Sequence, residues 1–232
     1  MSLQRLQINQ CWPQRREAMM AVIQSFSFAI EALEIGCWFG EGSTKIWMEN
    51  VKPGSNITLI DSWKPYNSQN DLNSGDNAYR IMDNATTDAY LSTIINVKKM
   101  DQVHTQNNIN VSIVKAETSK FLHKFADNIF DFIYVDGNHI YANAKSDIVQ
   151  AKRLIKKTSP YAIICGDDLE FHPTPELVAL AEMHKDRDYV DGFHPGVLLA
   201  ISEEFSTVNI HNGFWWVVVR NGNYFAAITP SE

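Results

Sequence analysis

Cysteine is scarce in this chain. Cys11, Cys37 and Cys165 are the only three in 232 residues, and they are odd in number, far apart and set among apolar neighbours. That excludes a disulfide framework and predicts reduced, mostly buried thiols, hence a cytoplasmic protein. No apolar run approaches the roughly 20 residues a membrane span requires, and Met1 to Gln10 carries no apolar stretch followed by a cleavage signal. The expectation is a soluble protein with no membrane partner. Positive charge is also sparse, with 20 Lys and Arg against 27 Asp and Glu, and no basic run exceeds Lys98-Lys99 or Lys156-Lys157. A surface that binds phosphate backbones needs clustered cations, so no nucleic acid is expected as a partner.

Internal repeats and low-complexity tracts are missing as well, and the apolar content suffices for a substantial core. One domain spanning 1–232 is expected, with a leading helix within 1–27 and an inserted, lid-like segment at 66–108 that is rich in Asn, Asp, Ser and Thr. Pro13 opens the leading helix, which places Met19, Met20, Val22, Ile23 and Phe26 on one face. Strands are predicted at Phe28–Ile35, Ile57–Ile60, Val111–Val114, Phe130–Val135 and Tyr161–Cys165. Helices follow from Gly42-Ser43-Thr44, from Tyr141 and from Thr174-Pro175-Glu176. Within the insertion, Ala78-Tyr79-Ile81-Met82 and Tyr90-Leu91-Ile94-Ile95 suit two amphipathic helices. Val197–Ile201 and Phe214–Val219, joined through Asn212-Gly213, suit an antiparallel pair at the sheet edge. The fold class is α/β, a doubly wound, mostly parallel sheet.

Four apolar runs end in polar turns: Glu34-Ile35-Gly36-Cys37-Trp38-Phe39-Gly40-Glu41-Gly42-Ser43-Thr44, Ile57-Thr58-Leu59-Ile60-Asp61, Phe132-Ile133-Tyr134-Val135-Asp136-Gly137-Asn138-His139, and Ile163-Ile164-Cys165-Gly166-Asp167-Asp168. In a parallel sheet these tips collect on one edge, where ligands bind. Gly36, Gly40 and Gly42 let a ligand approach the backbone and the amides at a helix start. Asp61 stands where a carboxylate can accept both hydroxyls of a ribose, and a turn cap is its alternative. Trp63 and the Ala116-Glu117 tip stand where an adenine would be flanked, one by stacking and one by polar contact; a core tryptophan and a solvated glutamate are the alternatives.

These residues carry a resemblance. Glu34-Ile-Gly-x-x-x-Gly-x-Gly-Ser-Thr, Leu-Ile-Asp-Ser-Trp, Tyr-Val-Asp-Gly-Asn-His and Gly-Asp-Asp resemble the class I S-adenosylmethionine-dependent methyltransferases, and within them the macrocin O-methyltransferase and cephalosporin-hydroxylase-like branch, over roughly residues 28 to 204. The resemblance implies a seven-stranded sheet with an antiparallel last strand and S-adenosyl-L-methionine in the crevice. It also implies that Glu34, Gly36, Gly40 and Ser43 hold the methionine end, Asp61 the ribose and Glu117 the adenine side.

Asp136, Asp167 and Asp168 end neighbouring strands, where mutual repulsion calls for protons or a cation. All-oxygen ligation suits magnesium better than zinc, and in the resembling branch these three positions are the metal ligands. His139, in the same turn as Asp136, is the candidate general base. Asn138 stands where some relatives place an aspartate. His172 and the Gly192–Gly196 turn are candidates for the crevice rim, and Trp215 and Trp216 for core packing.

The expected activity is transfer of a sulfonium methyl to the oxygen of a small hydroxylated acceptor, such as a sugar, a glycoside or a catechol-like ring. Two rivals stay open. A nicotinamide-dependent oxidoreductase also uses a glycine turn and an acid after the second strand, and Tyr141-Ala-Asn-Ala-Lys145 has its Tyr-x-x-x-Lys spacing. A non-catalytic relative that keeps the fold is the other. Assembly of several copies is a further expectation, with the leading helix, the insertion and the last strand as candidate contacts.

Overall fold

The structure, a computed structural model, describes residues 13–65, 77–103, 108–158 and 160–226. Cys11, and the side chains of Ala78, Tyr79 and Ile81 placed above on the first insertion helix, lie outside the described residues, as do 66–76 and 104–107 of the insertion.

The first three strands are β1 (Glu31–Ile35), β2 (Asn56–Asp61) and β3 (Asn110–Lys115). The next two are β4 (Phe132–Val135) and β5 (Ala162–Leu169). They pair in parallel in the order β3-β2-β1-β4-β5. Chain order reverses between β1 and β4, which opens a crevice at the carboxyl ends of those strands. Beyond β5 the sheet continues with β7 (Gly213–Arg220), antiparallel to β5, flanked by β6 (Asn209–His211) and β8 (Asn223–Phe225). The mostly parallel α/β sheet thus matches expectation, with eight described strands rather than seven because the chain turns back at Asn221-Gly222 to add β8.

Side-chain alternation sorts the strands onto two cores. Leu33, Ile35, Ile133, Val135 and Ile164 face one, while Ala32, Phe132, Tyr134, Ile163 and Cys165 face the other. The second core is covered by α1 (Pro13–Gln24), α2 (Ser43–Asn50) and α3 (Asn77–Val103). The first is covered by α5 (Tyr141–Leu154), α6 (Pro175–His184) and α7 (Pro195–Glu204), and the short α4 (Thr118–Phe121) follows β3. Cys37 and Cys165 are buried free thiols, as expected. Among the described residues no helix is long and apolar enough to cross a membrane.

Two expectations are corrected. Val197–Ile201 is helical, the heart of α7, with every residue from Pro195 to Ile201 buried. A short, wholly apolar run reads alike for a buried strand and a buried helix, and Pro195 in the first turn starts the helix. The antiparallel partner of β7 is therefore β5, with β6 and β8 on the far side. Within the insertion one continuous helix, α3, spans Asn77–Val103 where two were predicted. Its buried stripe is Ala85, Ala89, Thr93, Val97 and Met100, while Leu91 and Ile95 of the predicted apolar face are 51% exposed. Small residues at this spacing let α3 lie close against the turn after β1, where Thr93 Oγ1 donates to Trp38 O and Asn96 Nδ2 to Phe39 O.

Candidate active site

The crevice encloses about 480 Å³ and is bounded by the turns after β1, β2, β4 and β5. Gly36 makes the closure possible. Its φ of 80° belongs to the left-handed region, and a Cβ there would lie 1.9 Å from the carbonyl oxygen of Asp136. Only glycine lets the two tips touch. Trp38, Trp63 and Asp168 also have positive φ, at 46°, 43° and 66°, and all three line the crevice. Concentrated backbone strain of this kind marks functional edges. For Asp168 it coincides with the irregular register between Gly166 and Leu169, which re-aims the carboxylate.

On the β1–β2 side, Asp61 binds the glycine turn itself. Its Oδ2 accepts the N–H groups of Cys37 (3.1 Å) and Trp38 (3.0 Å), and its Oδ1 that of Trp63 (2.8 Å). Burial raises its carboxyl, and these three donors pull it back. A carboxylate offers about four acceptor positions, so one remains for a ligand. Glu34 lies fully buried beneath, outside the crevice lining, where Ser43 Oγ donates to its Oε1 at 2.5 Å and its Oε2 has no partner. Burial raises this carboxyl to about 8, against the pull of the Ser43 and Thr44 hydroxyls, which favours the protonated form at neutral pH. Gly42 and Ser43 bring the amino end of α2 to the crevice. Gly40 does not line it: this glycine packs on Thr93 of α3. Trp63 lines the wall but is 3% exposed, its Nε1 donating to Trp38 O and its ring tilted on Tyr90. Glu117 sits at the rim, its carboxyl lowered by pairing with Lys120 and Lys64.

On the β4–β5 side, Asp136, His139, Asp167 and Asp168 all line the crevice. Ligand atoms of Asp136, His139 and Asp168 lie within 4.8 Å of one another, and Asp167 is not in that group. Instead, Asp167 Oδ2 is paired with Arg15 Nη1 of α1, and its Oδ1 accepts the Asp168 N–H. Burial raises the Asp136 carboxyl, and the Asp168 charge raises it further against the pull of His139. Asp168 goes the other way. Burial would raise it, but the imidazoles of His139 (Nε2 to Oδ2, 3.0 Å) and His194 (Nδ1 to Oδ1, 3.7 Å) hold it well below the ordinary carboxylate range. Tyr134 Oη donates to Asp136 Oδ2, and Asn138 Oδ1 accepts the Ile140 N–H, which makes Asn138 a turn residue ahead of α5.

A family model described as a methyltransferase domain matches residues 33–169, more than half of the chain. The chain belongs to this methyltransferase family. Comparison with curated proteins finds no match. Among solved structures, the methyltransferase is similar to cofactor-bound Rv0187 from MTB, at 15% identity and a TM-score of 0.52 over 91% of this chain and 82% of that one. It is also similar to a Klebsiella pneumoniae protein provisionally assigned as an O-methyltransferase, at 14% identity and 0.52 over 95% and 84%. A Corynebacterium glutamicum protein matches at 8% identity and 0.51 over 90% and 81%. At these identities the likeness is one of fold.

Reasoning from the sequence overlooked three residues that bear on the methyltransferase's crevice, Arg15 in its lining and Asp188 and Glu170 as partners of its histidines. Arg15 comes from the first turn of α1, where a lone arginine beside Arg16 carries no motif. Asp188, 6% exposed, places Oδ1 3.0 Å from His139 Nδ1, and Glu170 Oε1 lies 2.7 Å from His194 Nδ1. His194 belongs to the Gly192–Gly196 turn named above as a rim candidate, while His172 is exposed and outside the lining. Trp215 is fully buried in the core. The Tyr141 and Lys145 pair that suits a dehydrogenase points elsewhere: both side chains bind Glu203 of α7, and neither lines the crevice.

Proposed function

We propose that this methyltransferase is an S-adenosyl-L-methionine-dependent O-methyltransferase of the macrocin and cephalosporin-hydroxylase-like branch, acting on a small hydroxylated acceptor such as a sugar, a glycoside or a catechol-like ring. The observation that carries the reading is the meeting, at one crevice, of a glycine turn bound by Asp61 with a cluster of carboxylates and a histidine.

The donor half fits the cofactor. Asp61 keeps an acceptor position for a ribose hydroxyl, the α2 amino end presents free amides, and the orphaned Oε2 of protonated Glu34 lies behind Ser43. Gly36, Gly42 and Ser43 would receive the methionine end, with Gly40 shaping the turn from behind, and Trp63 and Glu117 the adenine side. When bound, S-adenosyl-L-methionine supplies an electrophilic methyl on a sulfonium.

The acceptor half fits a hard cation at two of its three carboxylates, because the raised Asp136 carboxyl and its repulsion from Asp168 are the conflict a cation relieves. Asp136 and Asp168, with Asp167 as the third, would hold magnesium, which supplies Lewis-acid charge beside a hydroxyl. His139 then acts as base at Nε2, the nitrogen turned toward Asp168 and Asp136. Asp188 accepts at Nδ1, so that once a cation takes the charge of Asp168 the neutral ring would keep its proton on Nδ1 and its lone pair on Nε2. His139 Nε2 would take the proton of the acceptor hydroxyl, leaving an oxygen nucleophile for the methyl.

Calorimetry with S-adenosylhomocysteine, followed by a screen of sugar and phenolic acceptors with labelled donor in the presence and absence of chelator, tests the reading. Binding by the unaltered protein, lost in Asp61→Ala and kept in a surface Asp101→Ala control, supports it; no binding by the unaltered protein overturns it.

A further inference from the structure

We propose that Arg15 is a built-in counter-cation for Asp167 that competes with a divalent cation for this carboxylate, so that filling the metal site requires the guanidinium to withdraw. The inference rests on the metal reading above and adds a residue of α1 to it. Both oxygens of Asp167 are engaged, Oδ2 by Arg15 Nη1 and Oδ1 by the Asp168 N–H. A cation bound at the same Oδ2 would face the guanidinium at contact distance, where repulsion between like charges is costly away from bulk water, so the two compete for that oxygen. The geometry of the cluster carries the same mark. Asp136, His139 and Asp168 converge within 4.8 Å, and Asp167, the carboxylate held by Arg15, is the one left out.

Arg15 is also incompletely held. A guanidinium has five N–H donors, and its Nε is buried with no acceptor. It is delivered by a packed helix, since Met19, Val22 and Ile23 bury α1 and Arg16 pairs with Glu49 of α2. Withdrawal therefore needs rotation of one side chain rather than loss of the helix. Linkage makes the competition reciprocal: whatever Arg15 gains from Asp167, the cation loses.

Manganese binding to the full-length protein, read by calorimetry and by water proton relaxation, tests this without an acceptor. Arg15→Met, with Arg15→Gln as a polar second variant, should tighten the dissociation constant for manganese by roughly tenfold, the middle of the usual range for coupled sites. Arg16→Met, one residue along the same helix and paired away from the crevice, should leave it unchanged. In an Asp167→Asn background the gain from Arg15→Met should disappear. Equal or weaker manganese binding in both Arg15 variants overturns the proposal, because Arg15 would then be holding Asp167 in place as a ligand. If no variant and not the unaltered protein binds manganese while S-adenosylhomocysteine still binds, the metal reading falls and the proposal with it. If manganese binds normally and only the Arg15 effect is missing, the proposal alone falls.

Discussion

The two halves of the crevice solve one problem, buried acids at strand ends, by opposite means. In the β1–β2 half, Asp61 is satisfied by three backbone N–H groups and Glu34 is held on one oxygen by the hydroxyl of Ser43 nine residues on, so the solution is local and fixed by the glycine turn. In the β4–β5 half the acids depend on side chains from elsewhere: Arg15 from α1, and Asp188 and His194 from the segments around α6 and α7. Backbone donors cannot leave, whereas side-chain partners can exchange for a ligand. The first half is thus built to be preorganised and the second to be rearranged, which suits a donor that docks in one pose and an acceptor that must give up a proton.

The junction between the halves breaks most easily. Gly36→Ala forces a Cβ onto the Asp136 carbonyl at a positive φ, and two paired strand tips must part to relieve it. We expect a loss of at least about 4 kcal/mol, read as failure to fold or a collapsed melting temperature. A melting temperature within a few degrees of the unaltered protein would mean that the halves are not locked together.

Next in size is a pH effect confined to the first half. Burial raises the Glu34 carboxyl from 4.5 to about 8, so between these pH values the folded chain keeps a proton that the unfolded chain has released. Its contribution to stability is full below pH 4.5 and is lost as pH rises through about 8, at up to about 1.4 kcal/mol per unit. Glu34→Gln removes the titrating group while keeping a partner for Ser43. Thermal melts from pH 5 to 8 should therefore fall more steeply for the unaltered protein than for Glu34→Gln, and parallel curves would show that Glu34 is ionised in the fold.

The same contrast explains what could be read from the sequence. The glycine turn, Asp61 and the acids at the ends of β4 and β5 announce themselves because strand geometry carries every tip to one edge, and each lies within a contiguous motif. Thr174 capping α6, with Pro175 in the first turn, was legible for the same reason. Arg15 and Asp188 were not, since each reaches the site through tertiary packing across a sequence separation that no local pattern encodes, and Glu170, two residues past Asp168, carries no sign of its distant partner His194. The misread strand at Val197–Ile201 failed differently: an apolar run of five has no period to distinguish helix from strand, and Pro195 was the only signal. In α3 the aliphatic residues drew the prediction to the wrong face, because the buried stripe is made of Ala85, Ala89 and Thr93, residues that hydrophobicity ranks low but close packing favours.

Asp61→Ala probes the preorganised half at moderate cost. It leaves the Cys37, Trp38 and Trp63 N–H groups without their acceptor, so a stability loss of about 1–3 kcal/mol should accompany the loss of S-adenosylhomocysteine affinity. Glu117→Ala, which removes only a partly exposed rim carboxylate paired with lysines, should weaken the same ligand far less. Equal losses in the two variants would mean that the glycine turn holds its shape without Asp61.

The smallest expected effect belongs to the exchangeable half. Asp188 touches His139 at Nδ1 and lines no part of the crevice, so it acts through the imidazole as a positioning residue. Asp188→Asn keeps the shape and offers an amide oxygen in place of the carboxylate, and metal-site and base-orienting partners of this kind typically cost tenfold or somewhat more. With an acceptor from the screen, turnover should fall roughly tenfold while the acceptor KM and the S-adenosylhomocysteine affinity stay unchanged. Nitrogen NMR of labelled histidine, assigned with His139→Asn, adds a readout that does not need the acceptor: in the magnesium-loaded protein the proton of the neutral ring should sit on Nδ1, and be shared between the two nitrogens in Asp188→Asn. A drop in turnover with an unaltered tautomer would assign Asp188 to packing alone, and the second half would then owe its chemistry to the carboxylates rather than to an oriented base.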